Sequence, residues 1–140
     1  MTSADHLGAF LEAMKSGDVD GAVAHVADDI SLRSPILPAP FHGKKNVAAV
    51  LTQLVGTLDA FEPKLLLRDG ADVVAVLTIR FEDHVIDAFD HIRLNNEGLI
   101  EGMTVAWRPL PAVVAVQQRL VPKLGGQAMQ LVPLDQAKQR

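Results

Sequence analysis

Leu7, Phe10, Leu11 and Met14 recur at i, i+3, i+4 and i+7, which predicts a helix with one apolar face. Thr2 and Asp5 have capping-box spacing ahead of it, and Gly17 supplies a stop. Asp18 opens a second helix with Val19, Ala22, Val23 and Val26 on one side, closed by Asp28 and Asp29. Ile30, Leu32 and Ser34 then alternate with Ser31 and Arg33, as in a short strand. Pro35, Pro38, Pro40 and Gly43 predict a loop, since proline donates no ladder hydrogen bond. A third helix starts at Lys44 and carries Val47, Val50, Leu51, Leu54 and Leu58. Four strands follow, over 61–68, 73–82, 85–94 and 99–108. Their short connections predict an antiparallel meander. Helices first and a curled sheet after make an α+β layout.

Strand parity sharpens the picture, because alternate side chains face opposite ways. Ile86, Ala88, Asp90, Ile92 and Leu94 share one face. Val85, Asp87, Phe89, His91 and Arg93 share the other, where Asp87 and Arg93 are placed to pair. Leu99, Glu101, Met103, Val105 and Trp107 fall together on the last strand. Val73, Ala75, Leu77, Ile79 and Phe81 form an apolar face, with Arg80 turned away. Asp90 is thus a carboxyl group in an aliphatic row. Such a group holds its proton or binds backbone amides. The first is a functional device and the second a structural one, and the row alone admits both.

The chain has 140 residues, 49% of them hydrophobic and 21% charged. That composition predicts one folded domain and excludes disorder. Residues 1–108 form the body; 109–140 form a tail with a helix over 112–124 and a loose end. The helix belongs to the same domain or makes a dimer contact, which is favoured over a lid. The formal net charge is −4, with an acidic body, so nucleic acid is not the expected partner. Apolar runs are too short to span a membrane, and no secretory leader is evident. There is no Cys, hence no thiolate metal site or cysteine nucleophile. A cytoplasmic protein is expected. The five His residues show no metal-ligand spacing, and Ser34 has no identifiable base. No metal or cofactor is expected.

The stretch from Phe10 to Asp18, the segment from Val26 to Ile30, Gly43, and the run from Ile86 to Asn95 with Gly98 resemble the NTF2-like superfamily. Within it the likeness is to ketosteroid isomerases and SnoaL-like (polyketide cyclase-like) proteins. The resemblance implies a cone-shaped, cystatin-like fold: N-terminal helices inside a strongly curved sheet, a pocket at the open end, and often a homodimer. It also implies an Asp base before a proline, where this chain has Ser34, and a pocket Tyr where it has Phe10. The strand Asp that such isomerases keep neutral in an apolar site matches Asp90. Met103 and Trp107 match pocket walls, and Ala88, Ile92 and Val105 complete the expected lining. The proline loop would rim the pocket and bring His42 toward Asp90 as a proton partner. Steroid isomerisation by the standard mechanism is therefore not expected. An Asp–Arg–Asp relay of the limonene-epoxide-hydrolase kind is disfavoured, because Arg80 and Arg93 point away from Asp90. A scytalone-dehydratase-like site needs Tyr, which is absent. The leading expectation is an isomerase, cyclase or hydrolase acting on a lipophilic carbonyl-type compound, with Asp90 as acid. Non-catalytic binding of a hydrophobic ligand and a dimerisation or scaffold role are the alternatives.

Overall fold

The computed structural model describes residues 5–126. Helix α1 (His6–Ser16) is capped by Asp5, whose carboxylate accepts from Gly8 N at 2.9 Å. Thr2 and the end of the tail lie outside the described residues. Gly17 ends α1 in the left-handed region at φ 77°. Asp18 caps the short α2 (Val19–Val23) through Gly21 N.

Val26 does not extend α2. It begins strand β1 (Val26–Arg33), and Asp28 and Asp29 lie within that strand rather than at a helix end. The reason is a register irregularity between Val26 and Ser31, which breaks the simple alternation. Both carboxylates stay exposed while Val26, Ala27 and Ile30 are buried. The proline loop contains a two-residue strand, β2 (Phe41–His42), before α3 (Lys44–Val55).

Strands β3 (Ala60–Asp69), β4 (Asp72–Phe81), β5 (His84–Leu94) and β6 (Ile100–Arg108) form the expected meander. The six-stranded sheet has the order β2-β1-β6-β5-β4-β3. Only β1 and β6 run parallel, joined by everything between them. The sheet curves around α1 and α3. The inward faces of β4 and β5 match strand parity: Val73, Ala75, Leu77, Ile79 and Phe81 are buried, as are Ile86, Ala88 and Ile92.

Parity fails at the start of β6. Arg93 pairs with Gly102 but Leu94 with Ile100, so Glu101 is the extra residue of a bulge. Ile100 is fully buried, whereas Glu101 approaches Arg93 Nε at 3.8 Å. A further correction concerns Asp87 and Arg93, which do not pair with each other. Asp87 takes Arg108 at 2.6 Å, and Arg93 takes Asp72 at 2.7 Å.

After Pro109 the chain forms α4 (Leu110–Leu120) and a 3-10 turn over Val121–Leu124. The predicted helix over 112–124 is thus split. Ala112, Val116 and Leu120 join the chain's own core cluster. Arg119 donates to Glu82 at 2.7 Å and lies 5.6 Å from the Phe81 ring centroid, and Lys123 donates to Thr57 at 3.1 Å. The tail segment thus packs against the body of the fold.

Candidate functional site

A cavity of about 50 Å³ lies between the sheet, α1 and α3. Each wall follows from an apolar face already described. Phe10 and Met14 come from α1, and Val50, Leu51 and Leu54 from α3. Ile79 and Asp90 come from the inward rows of β4 and β5. Met103, Val105 and Trp107 come from β6 beyond its bulge, where alternation resumes. Leu32, Ser34, Pro35, Ile36 and Phe41 from the proline loop and its flanking strands, and Leu120 and Leu124 from the C-terminal segment, complete the lining.

Asp90 is the one ionisable side chain in this lining among the described residues. It is 4% exposed, and its Oδ1 has no hydrogen-bond partner there. Burial pushes its carboxyl up from 3.8 to about 7. The structural alternative, a carboxylate tied down by backbone amides, is not what surrounds Oδ1. The indole Nε1 of Trp107 is also buried without a partner. The remaining lining is almost wholly carbon, apart from Ser34, whose Oγ accepts from Leu37 N at 3.0 Å and closes its own loop turn.

Of the predicted site residues, Phe10, Ser34, Asp90, Met103, Val105 and Trp107 are brought together around the cavity. Three predicted site residues are not. Ala88 and Ile92 are fully buried core residues on either side of Asp90. His42 is exposed and lies outside the cavity. Its ladder position explains this. Leu32, an inward residue, pairs with Phe41, while Ser31 pairs with His42. Cross-strand partners share a face, so Phe41 enters the cavity and His42 faces away. Sequence reasoning identified Met14, Val50, Leu51 and Leu54 as apolar helix faces, but helical spacing does not separate core from cavity lining. It missed the contribution of Leu120 and Leu124, because the tail was assigned to a dimer contact.

The outer face holds the other charges. His91 and Arg93 both bind Asp72, at 2.9 and 2.7 Å. The His91 hydrogen bond, then the Arg93 one, lowers the Asp72 carboxyl below its usual range. Arg33 and Arg80 are exposed, and neither they nor Arg93 line the cavity. Among the described residues, no helix is long and apolar enough to cross a membrane, and no three His, Asp or Glu side chains form a metal-holding group.

Similar folds are found in solved structures. An uncharacterised cystatin-like protein from Silicibacter pomeroyi superposes with a TM-score of 0.81 at 23% identity, over 86% of this chain and 85% of that one. A steroid delta-isomerase from Pseudomonas aeruginosa gives 0.78 at 23% identity, over 86% and 89%. The epoxide hydrolase/cyclase-like enzyme SalBIII, described for pyran ring formation in the polyether salinomycin, gives 0.65 at 23%, over 74% and 88%. No curated protein matches the chain. Residues 2–108 match the family model of the limonene-1,2-epoxide hydrolase catalytic domain. That match ends before α4 and the 3-10 turn, which bear Leu120 and Leu124. With the curved sheet, the enclosed helices and the match over most of its length, the chain belongs to the limonene-1,2-epoxide hydrolase family of the NTF2-like superfamily.

Proposed function

We propose that the cavity takes a small lipophilic compound bearing an oxygen electrophile, an epoxide or a carbonyl, and that Asp90 is its acid. The observation that carries this reading is a buried, unpartnered carboxyl group in a carbon-lined cavity. A carboxyl group held near 7 is substantially protonated at neutral pH and donates to an oxygen as charge develops on it. Hydrolysis would also need a base to activate water. The described lining offers no second ionisable group, and the two arginines considered for a relay, Arg80 and Arg93, stay outside.

Internal chemistry of the substrate suits one acid better. Asp90 gives its proton to the epoxide oxygen as the C–O bond breaks. The compound's own hydroxyl oxygen forms the new C–O bond, and the oxonium proton returns to the Asp90 carboxylate. Product and substrate are isomers, and the acid is regenerated. The cavity is far below the roughly 300–1,000 Å³ of small-molecule sites. Admission of such a compound therefore requires lining side chains to shift.

The test is cyclisation of a small hydroxy-epoxide, 4,5-epoxypentan-1-ol, followed by gas chromatography. Asp90→Asn is expected to lower the rate about 100- to 10,000-fold, the usual contribution of a positioned acid. The wild-type rate should fall as pH rises through about 7. An Asn variant as fast as wild type would overturn the assignment. Ligand binding without turnover is the second reading, favoured by the single ionisable group and by Ser34 being committed to its loop. Under it the compound binds saturably and is recovered unchanged. We also propose a homodimer through the outer face of β5, where Val85 and Phe89 are 47% and 43% exposed. Sedimentation of Phe89→Lys as a monomer beside a wild-type dimer would support that.

A further inference from the structure

Two polar atoms are stranded in the cavity, and only one of them is an acid. Trp107 lies on the inward row of β6 with Met103 and Val105. Ala88 stands directly across the ladder from it, so a single methyl group leaves room for the indole. Asp90 opposes Val105, which puts Trp107 at the diagonal position on the same face. Diagonal residues in an antiparallel pair are about 7–8 Å apart, within reach of a large ring. An indole nitrogen is a donor only, and burying a donor without a partner is costly. Trp107 Nε1 nonetheless has no partner among the described residues. Phe10, on the facing helix, supplies only carbon.

We propose that Trp107 Nε1–H is the second polar anchor of the cavity, donating to an acceptor oxygen of the same ligand that Asp90 holds. This rests on the Asp90 reading and narrows the ligand class. Toward Trp107 the ligand presents a carbonyl, ether or epoxide oxygen. An N–H or hydrocarbon group at that point leaves the indole unpaired. Trp107 is thus a residue that selects acceptor compounds, over and above its role as an aromatic wall.

The chain has one Trp, so a proton–nitrogen correlation spectrum contains one indole N–H signal. Cyclohexanone and methylenecyclohexane serve as probes, matched in shape and differing in the acceptor oxygen. Cyclohexanone is expected to move that signal downfield and slow its exchange with water, and methylenecyclohexane is not. By calorimetry, Trp107→Phe is expected to weaken cyclohexanone binding about two- to tenfold, the worth of one neutral hydrogen bond, and to leave methylenecyclohexane unchanged. The wild-type spectrum keeps the test valid if the Phe variant folds poorly. If cyclohexanone binds and Asp90→Asn weakens it, while the indole signal stays still, Trp107 is no anchor and the Asp90 reading stands. Equal effects of Trp107→Phe on both probes would reduce Trp107 to a wall. If neither probe binds, both readings fall.

Discussion

Asp90→Asn is expected to stabilise the protein relative to wild type by about 4 kcal/mol more at pH 8 than at pH 4. In the unfolded chain the Asp90 carboxyl titrates near 3.8, and in the folded protein near 7. Between those values the native state keeps a proton that the unfolded state has released. Wild-type stability therefore falls as pH rises through this window, by about 1.4 kcal/mol per unit, and is flat outside it for this group. Asparagine does not titrate, so its own burial term is the same at every pH. The difference between the two proteins isolates Asp90, because every other carboxylate cancels. Urea unfolding of both at pH 4, 5.5, 7 and 8 measures it. A difference that does not vary with pH would mean that Asp90 ionises normally in the fold and carries no acid function. The slope connects stability with function. The native state is disfavoured at neutral pH by keeping a carboxyl group dry, and that dryness makes the group a proton donor.

That carboxyl was legible in the sequence because β4 and β5 pair without interruption from Asp72–Arg93 to Phe81–His84. With no bulge, parity carries from one residue to the next, and Asp90 falls in the buried row. The same counting misplaced Leu99 and Glu101, because one extra residue inverts every assignment on its far side. Beyond the bulge it recovered Met103, Val105 and Trp107. Ala88 and Ile92 share Asp90's face but not its cavity. Which part of an inward row meets empty space depends on how the curved sheet closes over the helices, and alternation does not encode this. His42 failed for a related reason. In a two-residue strand between Pro40 and Gly43, one ladder pairing decides which side chain enters, and here Leu32 selects Phe41. The resemblance to ketosteroid isomerases located the fold and the Asp. The outward placement of Arg80 and Arg93 was also legible from parity, and neither lines the cavity.

Leu120→Ala is expected to destabilise the protein by about 2–5 kcal/mol and to widen the range of compounds the cavity accepts. Leu120 is 1% exposed, sits on α4 outside the matched family unit, and lines the cavity. Truncation to alanine removes buried carbon and leaves its space joined to the existing cavity. By contrast, Arg119→Ala should cost less than about 1 kcal/mol. The Arg119–Glu82 pair is 56% and 52% exposed, and water screens it. The two variants together identify what holds the closing segment in place. If burial holds it, Leu120→Ala lowers the urea midpoint strongly and Arg119→Ala barely moves it. Methylenecyclohexane, which lacks any polar handle, should then bind Leu120→Ala more tightly than wild type, because the enlarged apolar space admits it. A Leu120→Ala protein as stable as wild type, with unchanged affinity for this hydrocarbon, would show that α4 rests on the cone without sealing it. In the sealed case, residues 109–124 set the size of the site while the family unit sets its chemistry. A change in this segment would then alter substrate size without touching the acid.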